Sequence, residues 1–377
     1  MRLRILADDL TGALDSAAAF ASDGDVPVWL GAVPTHHDAQ AAVQALSTGT
    51  RDLAQAASER AVLDALAWFR PDDGEPCIAF KKIDSLLRGN TLAEVAALAR
   101  SGAFTGVVFA PAFPAQGRFT EGGRHWAGVP HRPRSPAVQV CAEALAHAFA
   151  EHGLDAITGP AAMPKARQAG QISIPDVLTD SDLLALANAS RRHDAGRWLW
   201  CGSAGLASAL AQAWQTEFIG LDYVPASLPA PPTLAVTASR HPVLREQMRL
   251  MPSEHRDQAS TLEGVALLDL APVENLAPEQ AARHLAASCG KLVQHRSRPQ
   301  TAVVIGGDTL LALCHVSGAT HLQAFKSIRL GWGRARIEGG LWHGTTLLSR
   351  SGAFGAPDDI SALLAQLAPH TSKESIT

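Results

Sequence analysis

The sequence predicts an α/β protein of two domains, each a mainly parallel sheet flanked by helices. Three observations predict it. Short β-branched runs alternate with alanine-rich helical stretches almost from end to end, the pattern of parallel sheets covered by helices. The segment Tyr223 to Pro232, YVPASLPAPP, holds four prolines in ten residues and suits neither a helix nor a central strand, and the alternation restarts beyond it. A chain of 377 residues, 47% of them hydrophobic, is also long enough to bury two cores. The expected division is a first domain over residues 1–224, a linker over 225–232 and a second domain over 233–377.

Strands are expected at Leu3 to Ala7, Val26 to Leu30, Cys77 to Lys81, Gly106 to Ala110 and Arg197 to Cys201, most of them followed by helices. ADDLTGALDSA (Ala7 to Ala17) leaves the first strand and opens the first helix, and active-site residues concentrate at such carboxyl ends. Asp8 and Asp9 there suit orienting a hydroxyl, taking its proton or helping to hold a metal; the plainer account is a helix cap followed by a tight glycine turn. Adjacent aspartates do not match the one-residue spacing of haloacid-dehalogenase-type phosphatases. KKIDSLLRGN (Lys81 to Asn90) packs cations, a carboxylate, a hydroxyl and a glycine into one strand-to-helix turn. Arg88, an ammonium from Lys81 or Lys82, and the N–H groups of the helix start suit a carboxylate or phosphate, while a charged surface loop explains the same residues without a ligand. Arg118, in the loop after the Gly106 strand, is a further candidate anion ligand, and Arg118 to Pro136 reads as an exposed loop. CGSAG (Cys201 to Gly205) is a strand, a glycine turn and a helix start.

Beyond the linker, strands are expected at Thr233 to Ser239, Gly264 to Leu270, Thr301 to Gly307 and Gly344 to Gly352, with a long helix over Pro278 to His295. Three of these strands end in small polar residues: Thr237-Ala238-Ser239, Gly306-Gly307-Asp308-Thr309 and Ser351 to Gly355. If the strands are neighbours, their loops form a glycine-lined floor that lets phosphates and ribose approach backbone. Neither GxxxxGK[ST] nor GxGxxG after a first strand is present.

A net charge of −4 leaves no basic footprint, so no nucleic-acid partner is expected and a small-molecule ligand is favoured. Five cysteines without a CxxC pair suit reduced thiols in a cytoplasm. No segment is long and apolar enough to span a bilayer, and the N-terminus lacks the pattern of a signal peptide. HExxH is absent, and no metal-ligand set is assigned.

In this order, ADDLTGALD, KKIDSLLRGN, PAFPAQGR, CGSAGLA, GGDT and SRSGAFG resemble the four-carbon acid sugar kinase family, over about Leu3 to Leu367. The resemblance implies a first domain that binds threonate, erythronate or an oxo-tetronate, and a second that binds ATP with Mg²⁺. Phosphate would pass to the terminal hydroxyl across an active-site cleft between them. Substrate contacts would fall on Asp8, Asp9, Lys82, Asp84, Ser85, Arg88, Gly117 and Arg118. Nucleotide contacts would fall on Ser239, Gly306, Gly307, Asp308, Thr309 and Gly352. Asp9, Asp8 and Arg88 are the catalytic candidates, with Asp9 and Asp8 as rival bases.

Three departures stand out. Leu86 replaces a common threonine, Arg350 a common lysine that would meet phosphate differently, and His131 to Gln139 lacks the family's usual stretch. A homo-oligomer is compatible with this reading. Rival classes are an NAD(P)-dependent oxidoreductase of a small hydroxy acid and a non-catalytic sugar-acid sensor. Whether ATP or NAD(P) raises the melting temperature separates the first, and turnover of ATP the second.

Overall fold

The computed structural model describes residues 1–21, 26–34, 41–130, 132, 136–159, 171–191, 197–215, 233–251, 267–327 and 331–367. The Pro-rich segment and residues 131 and 133–135 of the 131–139 stretch lie outside them. Contacts divide the chain into two compact units, Met1–Val224 and Pro225–Thr377.

The first unit opens with β1 (Arg2–Ala7), α1 (Leu10–Phe20), β2 (Val26–Leu30), β3 (Val43–Ser47), α2 (Gln55–Asp64), α3 (Leu66–Phe69), β4 (Cys77–Lys82), α4 (Thr91–Arg100) and β5 (Gly106–Ala110). It continues through β6 (Arg118–Glu121), β7 (Arg124–Ala127), β8 (Val138–Gln139), α5 (Leu145–Ala150), β9 (Ala156–Gly159), β10 (Ile172–Pro175), α6 (Asp180–Ala189), β11 (Trp198–Gly202) and α7 (Ala204–Ala213). Its parallel strands run in the order β2-β3-β1-β4-β11-β5-β10-β9. The alternation did not announce β3, β9 and β10, because VQALS and AITG mix alanine and polar residues and ISIP ends in proline.

One face of this sheet packs on α2 to α5 through Leu6, Leu46, Phe69, Ala79, Val95, Leu98, Phe109 and Phe149. The opposite face carries α1 and α7. Successive side chains of a strand point to opposite faces, so Ala79 and Lys81 share the first face while Phe80 and Lys82 face α1. The Lys81 ammonium lies 2.7 Å from Oε2 of Glu94 on α4, with both side chains almost wholly excluded from solvent.

Residues 118–127 correct the reading of Arg118 to Pro136 as an exposed loop. Arg118–Glu121 and Arg124–Ala127 form an antiparallel hairpin, which β8 extends to three strands. Gly122 and Gly123 take φ of 58° and 71°, the left-handed pair a two-residue hairpin turn requires. Phe119 lies on one face of the hairpin and Thr120 with its partner His125 on the other, and all three are buried.

In the second unit, β12 (Thr233–Thr237), β13 (Leu267–Asp269), β14 (Thr301–Ile305), β15 (His321–Phe325), β16 (Gly333–Glu338) and β17 (Thr346–Arg350) take the order β13-β12-β14-β17-β16-β15. Only β16 runs antiparallel to its neighbours. Helices Pro242–Leu250, Pro278–His295, Gly307–Ser317 and Asp359–Leu367 complete the unit, and Leu244, Val303, Ile305, Trp332, Leu348, Ile360 and Leu364 form its core. Among the described residues no helix is long and apolar enough to cross a membrane, and all five cysteines are free thiols.

A buried ion pair and a half-buried carboxyl make predictions. Removing one partner of a buried ion pair strands the other, so Glu94→Gln is expected to cost about 3–5 kcal/mol, read from the urea midpoint, and Lys81→Met with Glu94→Leu to recover most of it. On the other face, burial pushes the Asp15 carboxyl of α1 up to about 6, against the pull of Lys82. A raised carboxyl pKa means that the folded state holds the proton longer, so stability falls as pH climbs from about 4 to 6. Asp15→Asn should match wild type in thermal melts at the acidic end of that window and exceed it at pH 7.5; equal melts at both ends would remove Asp15 as the titrating acid.

Candidate active site

Pairing in register brings Ala7, Ser47, Lys82, Gly202 and Ala110 into one row at the carboxyl edge of the first sheet. The chain steps from β1 out to β2, comes back to β3 beside β1, and then crosses to place β4 on the other side of β1. That reversal is a topological switch point, where the loops diverge and leave a crevice. Asp8 and Asp9 follow β1, Arg51 follows β3, and Asp84, Ser85 and Arg88 follow β4.

Arg51 is the hub. Its Nε donates to Asp8 Oδ2 at 2.8 Å, and its Nη2 donates to Asp8 Oδ1 at 3.0 Å and Asp9 Oδ1 at 2.8 Å. Asp84 Oδ1 lies 3.8 Å from the same nitrogen. Burial alone would lower the guanidinium's pKa, but the three carboxylates raise it well above its ordinary value. Burial likewise pushes Asp8 up, and the charges of Arg51 and Lys81 with the Arg51 hydrogen bonds pull it below the ordinary carboxylate range. Asp9 also caps α1, accepting from Gly12 N–H at 3.1 Å and from the Thr11 hydroxyl. A Cβ on Gly12 would stand 2.5 Å from Asp9 Oδ1 and 2.6 Å from Lys82 Nζ, so glycine there lets the carboxylate and the ammonium share one space. The Lys82 ammonium makes no hydrogen bond or ion pair among the described residues, and the residue is 7% exposed.

KKIDSLLRGN forms a tight turn around Asp84. Asp84 Oδ2 accepts from the N–H groups of Leu86 at 3.1 Å and Arg88 at 3.2 Å, and the Arg88 guanidinium grips both oxygens at 2.6 and 2.9 Å. Burial raises the Asp84 carboxyl, but the bonds from Arg88 and the charge of Arg51 outweigh it and hold it well below the usual range. Because the work of Leu86 in this turn is done by its backbone, the departure from threonine leaves the turn intact. Leu87 takes φ of 54° and Gly89 φ of 74°; a side chain on Gly89 would meet the Arg51 carbonyl oxygen at 2.6 Å. Asn90 donates to the carbonyls of Thr50 and Leu53 at 3.2 and 2.8 Å, tying this turn to the Arg51 loop.

The hairpin reaches the same place. His125 Nε2 donates to the Ser85 carbonyl at 2.8 Å, so Nδ1 accepts from the Thr120 hydroxyl at 3.1 Å. Burial lowers the His125 pKa to about 4, which keeps it neutral. The Ser85 hydroxyl is buried and finds no hydrogen-bond partner among the described residues. Arg118 is near enough for Asp84 and Arg88 to act on its charge, with burial lowering its pKa. Gly117 does turn work: φ is 77°, and a side chain would strike the Gly128 carbonyl oxygen at 2.2 Å.

In the second sheet Thr237, Ile305 and Arg350 lie side by side at the carboxyl edge, which makes the three glycine-bearing loops neighbours. The chain reverses between β12 and β14, a second switch point. Ala238 N–H donates to Thr309 Oγ1 at 3.0 Å, and Thr237 Oγ1 donates to the Ile305 carbonyl at 2.7 Å. A Cβ on Gly352 would stand 2.4 Å from Ser239 Oγ, and one on Gly306, at φ 109°, would stand 3.2 Å from Ser239 Cβ and 3.3 Å from Thr309 Oγ1. Gly306 caps the helix Gly307–Ser317 without a side-chain bond, and Asp308 sits in its first turn. Ser239, Gly306, Gly307, Thr309 and Gly352 are therefore gathered at one edge.

Two sequence expectations change. Lys81 is committed to Glu94 on the far face, leaving Lys82 as the ammonium at the edge. Arg350 points into the core, bonded to Asp359 and, at 2.8 Å, to Gln247 Oε1, with Trp332 stacked 4.9 Å away. Arg51 was not among the candidates. Its signal was TGTR directly after VQALS, small polar residues and a cation at the end of a strand that itself went unseen.

A family model described as the sugar-binding N-terminal domain matches residues 3–210. A D-threonate kinase of Cupriavidus necator is 36% identical over 258 residues, 62% of this chain and 60% of that protein. A D-threonate kinase of Bordetella bronchiseptica is 28% identical over 402 residues, 94% of each chain. A 3-oxo-tetronate kinase of Escherichia coli is 30% identical over 244 residues, 58% of this chain and 61% of that protein. The chain thus spans about three fifths of the length of the first of these relatives. A solved Haemophilus influenzae structure from a family of unknown function shares the fold at TM-score 0.63 and 18% identity, covering 97% of this chain and all of that one. Matched over more than half its length, with a charged switch point inside the matched region, the chain belongs to the four-carbon acid sugar kinase family.

Proposed function

We propose that this protein is an ATP-dependent kinase that phosphorylates the terminal hydroxyl of a four-carbon sugar acid: threonate, erythronate or 3-oxo-tetronate. The observation that carries the reading is the contrast between the two carboxyl edges. The first has an ammonium without a partner, Lys82, and an orphaned buried hydroxyl, Ser85, beside arginines 88 and 118; that chemistry suits a small anion rich in hydroxyls. The second is lined by Gly306 and Gly352 at a helix start, where added side chains would fill the space, and that suits a nucleotide's phosphates. The kinase names of the relatives point to the same pair of ligands. This contrast also disfavours the sensor and oxidoreductase readings.

In this mechanism Lys82 and Arg88 hold the carboxylate and hydroxyls of the sugar acid, Arg88 offering N–H groups that Asp84 leaves unused. Asp9 orients the attacking hydroxyl. Both aspartates have both oxygens hydrogen-bonded, but the Asp8 side chain is 5% exposed and that of Asp9 13%, so Asp9 is the better placed of the two. Ser239, Gly306, Gly307, Thr309 and Gly352 would hold ATP. Mg²⁺ would be carried largely by the phosphates and would neutralise their charge, with Asp308 a carboxylate at that edge to share it. Among the described residues the one cluster with metal-ligand spacing, Glu143, His147 and Glu151, is exposed on α5 and its flanks, and has no part in this chemistry. Positioning and charge neutralisation supply most of the rate in phosphoryl transfer, which is why a preformed charged lattice matters.

ADP release from ATP and Mg²⁺ should be rapid with one member of a panel of D- and L-threonate, D- and L-erythronate and the oxo-tetronates. Silence across the panel by a protein that binds ATP would mean a different acceptor. Asp9→Asn should lower kcat by about 100-fold or more while changing the sugar-acid KM far less; wild-type turnover would pass the role to Asp8.

A further inference from the structure

A buried amide on the helix Pro242–Leu250 governs the third loop of the glycine-lined edge. Gln247 is 1% exposed, and its Nε2 points at three successive carbonyl oxygens, those of Phe354, Gly355 and Ala356, at 3.2, 2.9 and 2.8 Å. Its Oε1 accepts from Arg350 Nη2 at 2.8 Å, while Arg350 Nη1 bonds Asp359 at the start of the last helix. Gly355, at φ 96°, has no room for a side chain because Arg350 and Asp359 fill the space where a Cβ would stand. Arg350 ends β17 and Gln247 holds the residues just beyond Gly352, so the segment Ser351–Ala356 is pinned at both ends. Between the pins Gly352 lies against Ser239, at the edge where Gly306 and Thr309 also converge.

We propose that Gln247 and Arg350 are positioning residues for nucleotide binding: together they fix the 351–356 loop so that its backbone is preformed for phosphate, without touching the nucleotide. This rests on the kinase reading above. It gives Arg350 a task different from that of a phosphate-contacting lysine. Gln247 serves because an amide can donate to the carbonyl cluster and accept from the guanidinium at once; a carboxylate can only accept.

Gln247→Glu keeps the volume and the Arg350 bond but replaces the donor with an oxygen facing three carbonyls. We expect its KM for ATP, and its Kd for ATP by calorimetry, to rise about tenfold or more, roughly the worth of one or two buried hydrogen bonds. The sugar-acid KM should stay within about twofold of wild type. Arg350→Lys, which retains a cation beside Asp359, should give a smaller rise in the same constant and serves as the readout if the first variant does not fold. A folded Gln247→Glu protein with wild-type ATP affinity would overturn the proposal, as would parallel increases in both KM values. Wild-type protein that binds no ATP would instead sink the kinase reading.

Discussion

Three carboxylates from two strand ends crowd around one guanidinium. Burying Asp8, Asp9 and Asp84 together would be prohibitive without a cation among them, since each desolvated charge costs several kcal/mol. Arg51 resolves this by offering two N–H edges to Asp8 and Asp9 while standing 3.8 Å from Asp84. Much of the local backbone follows from that placement. Gly12 is small so that Asp9 and Lys82 fit over the start of α1, Gly89 is small so that the chain can pass the Arg51 carbonyl, and Asn90 binds the loop on either side of Arg51. Arg88 neutralises the remaining demand of Asp84. Lys82 is left as a cation with no carboxylate within ion-pair distance among the described residues, which is the electrostatic basis for proposing an anionic ligand.

The pleat of β4 divides two adjacent lysines between structural and chemical work. Lys81 faces α4 and is matched to Glu94 in a dry interior, where its charge is spent on the fold. Lys82, one residue on, faces α1 and the row of strand ends. The hairpin inserted after β5 acts on the same turn from outside the main sheet. Its buried His125 links Thr120 to the Ser85 carbonyl, so the turn is held by a neutral imidazole that supports the backbone and leaves the serine hydroxyl unspent.

The second edge is organised by shape more than by charge. Threonine hydroxyls of β12 and the helix Gly307–Ser317 lace neighbouring loops together, and glycines keep their surface open. Its arginine is turned inward, where Trp332, Gln247 and Asp359 enclose it; burial lowers the Arg350 pKa to about 10 despite the pull of Asp359. The charged edge and the glycine-lined edge thus meet the same requirement, a preformed polar surface, by different means.

The alternation of apolar runs and alanine-rich stretches was enough to determine an α/β fold, and strand ends carrying Asp8, Asp9, Asp84, Arg88, Gly306 and Gly352 were legible because parallel sheets place such residues on one edge. Local pattern could also have disclosed the hairpin, whose EGGR turn stood in plain view. The sequence alone could not rank Lys81 against Lys82, because which face of a strand is buried depends on the helices packed over it. Nor could it give Arg51 its partners, which lie 33 and 42 or 43 residues away, or Arg350 its true neighbours Gln247 and Asp359. Those pairings were decided by tertiary structure, since desolvation makes a charge seek its partner in space and sequence separation carries no record of it.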